Sequence, residues 1–205
     1  MTLLDIYLPI FKTVLQIKST PSAFEDYEHS RQLCIDLLEQ ATCESAQHDV
    51  SEEEKEAARV AVIAWLDETI LRSSLPWRQR WQKELLQRKY LNITTAGEFF
   101  FTVLEQLSPQ YRQARKVFLF CLQQGFQGQL GSVDDPLPLQ SVIAEQRSLC
   151  LPEAWQNWPN DAPLVSIRTP TKEAMTQNLR PLLSLTVCVG LLYVALFIFL
   201  HNYLF

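Results

Sequence analysis

The residues best suited to chemistry are two neighbouring acids, Asp67 and Glu68, within the stretch VAVIAWLDETILRSS from Val60 to Ser74. The residues before them are mostly apolar and suit a buried helix. Two carboxylates in such a place suit three kinds of site: an enzymatic acid pair, a set of metal ligands, or a surface that binds another protein. Adjacent helical residues point about 100° apart, so these acids do not face each other as a catalytic pair.

Helical spacing predicts different roles for the two acids. Glu68 lies four residues before Arg72, the favoured arrangement for an ion pair across one turn, so we expect it on the flank with little effect on folding. Asp67 falls on the apolar stripe and points inward, where an unpaired carboxylate is costly. Structural bonding, a partner-binding groove and catalysis all stay open for it. The candidate hydrogen-bond donors for Asp67 are the loop from Gly125 to Gly131, Arg112 and Arg115.

Motifs of common enzyme classes are missing from the sequence. It has no G-x-S-x-G, no H-E-x-x-H and no phosphate-binding G-x-x-x-x-G-K-[ST]. Its five cysteines form no C-x-x-C, and its three histidines have no zinc spacing, which favours reduced thiols and no metal site. The net charge of −5 disfavours nucleic-acid binding. The residues therefore offer no recognised catalytic motif and predict no cofactor, although a role of Asp67 or another carboxylate in hydrolysis stays open.

An uncharged stretch of 19 residues from Leu182 to Leu200 predicts a transmembrane helix. A helix of that length is about 28 Å long, close to the thickness of the hydrocarbon core of a bilayer. Basic residues precede the stretch and none follows it, which predicts that residues 1–181 are cytoplasmic and 201–205 form a short periplasmic tail. Proline-rich residues 151–181 are expected to form the juxtamembrane linker.

Small residues within the predicted span are spaced by four, which lets transmembrane helices approach closely. We expect them to pack against a second copy of the span or against the spans of a partner. The alternative is a span that contacts only lipid. The residues are Ser184, Thr186, Cys188 and Gly190.

Residues 1–150 show helical periodicity throughout and predict an all-α domain of about seven helices. Among these, we expect helices over 23–46 and 77–90. Capping boxes are predicted at Ser51 with Glu54 and at Thr95 with Glu98, and a further helix is predicted to begin at Ser108 and Pro109.

Charge is distributed unevenly along the domain. Residues 25–56 hold eleven acids against two bases, and residues 72–89 hold six bases against one acid. The two stretches are either solvated helix faces or surfaces that orient partners, and the basic stretch also suits anionic lipid. Arginine beside tryptophan is typical of interface hot spots. The candidate basic and aromatic interface comprises Trp77, Arg78, Arg80, Trp81 and Lys83.

Three motifs in order, WLDETIL, TAGEFFFTVLEQL and FLFCLQQGFQG, together with the C-terminal span, resemble the TssL/DotU (IcmH-like) family of secretion-system proteins. The resemblance implies two three-helix bundles and a non-enzymatic scaffold in the inner membrane. It implies an IcmF/TssM-like membrane partner and a TssK-like baseplate partner, whereas the expected self-association comes from the small residues of the predicted span. Motif positions of the family fall on Asp67, Glu68, Gly97, Glu98, Gly125, Phe126 and Gly128.

The sequence departs from the family pattern at two places. Gln129 and Leu130 stand where many members have Arg-Tyr, and no periplasmic domain follows the predicted span. Three functions remain open: a scaffold of a type VI secretion system, the same role in a type IVB system, and a membrane-tethered hydrolase that uses Asp67 or Glu98.

Overall fold

The computed structural model describes residues 1–131 and 137–153, and within these ranges it is helical without a strand. The all-α prediction is confirmed. The α-helices in these ranges are α1 (Leu3–Ser19), α2 (Tyr27–Ala46), α3 (Glu52–Leu71), α4 (Arg78–Lys83), α5 (Leu86–Leu91), α6 (Ala96–Gln106), α7 (Arg112–Gln123) and α8 (Leu137–Cys150). Short 3₁₀ turns lie at Pro21–Ala23 and Gly128–Leu130.

Helix α3 is the centre of the fold. It contacts α1, α2 and each of α4 to α7. Helix α1 also packs on α2 and α7, and α8 packs on α7. A helix that is apolar almost all round belongs in the middle of a core, and Ala61, Trp65 and Ile70 of α3 are all 0 % exposed. The apolar stretch around the two acids is therefore the core helix that the sequence predicts.

One predicted capping box is only half formed. The Ser51 hydroxyl accepts a hydrogen bond from the Glu54 N–H at 3.2 Å, as a helix cap requires. The Glu54 carboxylate, however, accepts from the N–H groups of Gln113 at 2.6 Å and Ala114 at 3.0 Å. Its charge thus lies at the N-terminus of α7, where the helix dipole favours an anion, and it ties α3 to α7.

Several predicted boundaries were wrong for local reasons. Thr95 makes no side-chain cap, so the second capping box is absent. The helix predicted over 77–90 is two short helices, and the helix predicted from Pro109 begins at Arg112, after a turn. The helix predicted from residue 23 begins at Tyr27, because the Asp26 carboxylate accepts the first free N–H groups.

The membrane-related predictions lie outside the described residues. These are the linker beyond residue 153, the span 182–200 with its small residues, and the tail 201–205. Among the helices of 1–131 and 137–153, none has both the length and the apolar character needed to cross a bilayer.

Candidate functional site

Asp67 is bonded inside the protein through both carboxylate oxygens. It is 1 % exposed. Its Oδ1 accepts from the Trp81 indole Nε1–H at 2.8 Å and the Leu86 N–H at 3.2 Å, and its Oδ2 accepts from the Gln87 N–H at 2.8 Å. The two backbone donors begin α5. The carboxylate therefore fixes the start of α5 and the end of α4, which explains why one predicted helix is divided into two.

The donors that the sequence suggested for Asp67 were wrong. Neither the 125–131 loop nor Arg112 or Arg115 reaches it, because those groups approach other parts of α3 and α7. Burial raises the pKa of Asp67 to about 6, although its three hydrogen bonds lower the pKa. Asp67 is thus mostly ionised at neutral pH, with both oxygens occupied by N–H donors.

Glu68 holds the loop that was expected to bind Asp67. Its two oxygens accept from the N–H groups of Gln127 and Gly128, each at 2.9 Å. The predicted ion pair with Arg72 is also present at 3.1 Å. The Glu68 side chain is 20 % exposed, so its bonds to the loop are partly shielded from water. We call Asp67, Glu68 and the N–H groups that they bind the acid-pair anchor.

Gly97 and Gly128 allow the same loop to approach α6 backbone to backbone. Gly128 has a φ of +50°, and a Cβ on it would lie 2.6 Å from the Gly97 carbonyl oxygen and 2.9 Å from Phe101 Cε2. Both distances are too short for a side chain. Gly125 has a φ of +94° but open space around it, so only its backbone conformation favours glycine.

Phe126 fastens the loop to the core from the other side. It is 2 % exposed, and its ring lies 4.1 Å from that of Phe100 and 6.1 Å from that of Phe101. The structure thus brings together every motif position but one. Glu98, in the first turn of α6, is exposed to solvent and belongs to neither half of the acid-pair anchor.

The tryptophans of the candidate basic interface are core residues, and that part of the prediction was wrong. Trp81 is 0 % and Trp77 is 7 % exposed. Trp77 donates its Nε1–H to the Phe24 carbonyl at 2.8 Å. Both pack edge-on against Tyr27 of α2, so long-range packing rather than a partner uses their surface.

The acidic and basic stretches partly neutralise each other within the domain. Arg80 pairs with Glu28, and its guanidinium lies 4.1 Å above the Tyr27 ring. Arg31 pairs with Glu84 at 3.4 Å. Arg78 and Lys83 are exposed, and Arg78 donates to the Ser73 carbonyl at 3.4 Å. The charged surface available to a partner is therefore smaller than the sequence suggests.

Sequence reasoning missed one buried cation, Arg115. It is 4 % exposed and donates to the Gln146 Oε1 at 2.7 Å and to the Ser108 carbonyl at 3.3 Å, with a third bond to the Leu107 carbonyl. Burial lowers the pKa of Arg115. The available signal was its place on the face of α7 that carries Phe118, three residues later.

An open groove of about 460 Å³ lies between α3, α5 and α6. Its floor is apolar, and Glu53, Glu56 and Arg59 line one rim, where Arg59 forms an ion pair with Glu56. Phe99, at 36 % exposure, projects from α6 into it. Within the described ranges, no cluster of three or more histidine, cysteine or acidic side chains could hold a metal ion. The apolar floor and the exposed Phe99 ring suit contact with another protein. Other residues of the floor are Ala57, Val60, Leu91, Val103 and Leu107.

Comparisons with known proteins identify the family that these motifs suggest. The sequence profile of a family described as type VI secretion system protein DotU matches residues 2–203. The chain belongs to the DotU family. The resemblance drawn from the three motifs is thereby confirmed. No curated protein sequence matches this DotU chain significantly.

Two solved structures resemble the described domain of this DotU chain. The cytoplasmic domain of TssL from Acinetobacter baumannii is 26 % identical, with a TM-score of 0.66, over 73 % of this chain and 97 % of that one. TssL from Vibrio cholerae is 23 % identical, with a TM-score of 0.62, over 72 % of this chain and 94 % of that one. The second likeness concerns the fold alone. The chain is thus a type VI secretion component of the membrane complex with a TssL-like helical domain.

Proposed function

We propose that this DotU-family chain is a non-enzymatic scaffold of the inner membrane that links an IcmF/TssM-like membrane protein to a TssK-like baseplate protein. The acid-pair anchor is the observation that carries the proposal. Both acids of the most reactive-looking motif are bonded to N–H groups of their own domain, so they serve architecture and not acid–base chemistry. The family profile over residues 2–203 favours type VI over type IVB secretion.

The proposed topology puts residues 1–181 in the cytoplasm, a span at 182–200 and residues 201–205 in the periplasm. Sequence hydropathy and the basic flank support it. A cysteine placed at Leu204 should react with an impermeant maleimide added to intact spheroplasts, and reaction only after lysis would contradict the orientation. Gly190→Leu should weaken association of the span with itself or its partner, since close helix packing needs a small residue.

We propose that the groove between α3, α5 and α6 receives the TssK-like protein through an apolar segment with a basic residue. The apolar floor and the Glu53 carboxylate support this choice, since Arg59, which also lines the groove, pairs with Glu56 and leaves Glu53 as the acid there without an ion pair among the described residues. The groove lies on the side of α3 where α6 packs, apart from α1.

Co-purification from the native organism tests the scaffold. Phe99→Asp should reduce recovery of the TssK-like protein while recovery of the IcmF/TssM-like protein is kept, because the charge enters the groove. Thr102→Asp is the matched control, since it places the same charge on an exposed residue of α6 outside the groove lining. Equal losses for both variants, or loss of the membrane partner alone, would contradict the assignment.

Stability measurements distinguish a structural role of Asp67 from a role in binding a partner. If the acid-pair anchor is structural, complex formation by Asp67→Asn should fall only as far as the stability of the domain falls. Assembly that fails while the purified chain melts normally would show that Asp67 contacts a partner.

A further inference from the structure

Helix α1 is apolar around most of its circumference, yet one side of it is left uncovered by the described residues. Its inner stripe, which includes Tyr7 and Val14, is fully buried, whereas Leu8, about 100° round the helix from Tyr7, is 42 % exposed. Leu4 and Leu15, on that same side, are only partly buried. An exposed run of large apolar side chains usually marks a surface that something else covers.

The uncovered side forms one wall of an elongated groove between α1, α7 and the end of α8. Two hollows of about 420 Å³ and 710 Å³ meet at Phe120 of α7. Leu151, just after α8, lines the near hollow, and Leu15 lines the far one. Leu4, Leu8, Phe11 and Leu119 complete the apolar floor.

Among the residues that the structure describes, the ionisable side chains that line this groove are all basic. They are Lys12, Lys18, Lys116 and Arg147. No acid of residues 1–131 or 137–153 lines either hollow, although the chain as a whole has a net charge of −5. The Nε of Arg147 is buried and has no hydrogen-bond partner among the described residues. The groove thus suits an apolar ligand whose charge is negative.

The chain itself provides such a ligand where the described domain ends. Glu153 is followed by AWQNW, which holds Trp155 and Trp158, and no Lys or Arg occurs between Arg147 and Arg168. The other three tryptophans, Trp65, Trp77 and Trp81, are in the core. A tryptophan buries about 150–250 Å² in an apolar site, so these two residues supply ample apolar surface to cover the floor.

Length and position favour this segment over a separate partner. Leu151 already lines the groove, so the segment starts at its near end. From Leu4 to Leu15 along α1 is about 17 Å at 1.5 Å per residue. Leu8 of the far hollow is only about 6 Å from Leu4 along α1. Glu153 is helical, and seven residues after Leu151 span about 10 Å even at the helical rise of 1.5 Å each, which is enough to enter the far hollow.

We propose that residues 153–158 dock in this groove, with Trp155 and Trp158 on its apolar floor and the Glu153 carboxylate near its basic rim. Docking covers the outer side of α1 and holds the start of the linker against the domain. A partner with a similar acidic and aromatic segment would have to displace it.

Thiol accessibility in the purified full-length protein tests the docking. Leu8→Cys places a thiol in the groove, in a Cys188→Ser background, and the exposed native Cys43 is the internal reference. Trp155→Ala with Trp158→Ala should raise the maleimide reaction rate at position 8 about tenfold, which corresponds to 1.4 kcal/mol of docking free energy, without changing the rate at Cys43.

Charge variants add a second measurement. Lys12→Glu with Lys116→Glu should also speed reaction at position 8, whereas Lys83→Glu, an exposed lysine of α4, should leave it unchanged. Thermal melts of each variant check that the fold is intact. Equal rates with and without the two tryptophans would overturn the proposal. Protection of the thiol at position 8 that depends only on protein concentration would also overturn the proposal, because a second copy would then cover the groove. Protection that appears only with added anionic vesicles would overturn it too, because lipid would then cover the groove.

Discussion

Removing the Asp67 carboxylate should destabilise the domain strongly without unfolding it. Asp67→Ala strands three N–H donors, on Trp81, Leu86 and Gln87, that are at most 8 % exposed. At about 2 kcal/mol for each unsatisfied buried donor, the loss is about 6 kcal/mol. The variant no longer has to keep a buried carboxylate ionised, and that cost at neutral pH is about 3 kcal/mol of folding free energy, because the pKa is raised from 3.8 to about 6. The net destabilisation is about 3 kcal/mol.

This value is measurable by thermal or urea unfolding of the full-length chain in detergent. A loss of about 3 kcal/mol lowers Tm by about 6–12 °C in a domain of this size. Trp81 also loses its hydrogen bond, so its fluorescence should change in the folded state. Asp67→Asn keeps one acceptor oxygen and should lie between Asp67→Ala and the native chain.

Glu68→Ala is the matched control on the neighbouring residue. It strands only the N–H groups of Gln127 and Gly128 beside a side chain that is 20 % exposed, so water can replace part of what is lost. We expect a cost of about 1–2 kcal/mol, more than the sequence suggested from the pair with Arg72. An Asp67→Ala variant as stable as the native chain would refute the hydrogen-bond geometry assigned to it.

Three further predictions concern other contacts of the domain. Gly128→Ala should destabilise more than Gly125→Ala in urea unfolding, because only the first pushes a Cβ against the Gly97 backbone; equal effects would mean that backbone conformation alone matters. The folded pKa of Asp67 is raised, so its contribution to stability is complete below about pH 4 and is lost as pH rises through about 6. The free energy of unfolding of the native chain should therefore rise relative to that of Asp67→Asn as the pH falls from 7 to 4, by up to about 3 kcal/mol. A difference between the two chains that does not change with pH would contradict the burial assigned to Asp67. Glu54→Gln keeps an acceptor but loses the charge at the start of α7, so we expect a loss of about 1 kcal/mol, checked by thermal melts.

The sequence was informative where local periodicity decides the structure. The inward direction of Asp67 follows from its place on the apolar stripe of α3, and the pair of Glu68 with Arg72 follows from spacing by four. The donors could not be predicted in the same way. Gln127 is 59 residues and Gly128 is 60 residues from Glu68 along the chain, so only the packed fold brings them together.

The errors share this physical origin. Residues 77–90 have a continuous helical pattern, but the helix is divided because Asp67 accepts the N–H groups of Leu86 and Gln87. Trp77 and Trp81 beside arginines have the composition of an interface, yet Tyr27 of a distant helix covers them. Tertiary contacts thus overrule a local pattern wherever a polar group or a large ring finds a distant partner.

The two acids of the anchor also fix α3 mechanically. They are adjacent in sequence and diverge by about 100°, so two sets of bonds at different points around the helix both oppose its rotation about its axis. Sliding α3 by a single residue would break both sets of bonds at once. A load applied to α5 or to the 125–131 loop is therefore transmitted to one central rod, and the domain responds as a stiff body rather than as separately yielding parts.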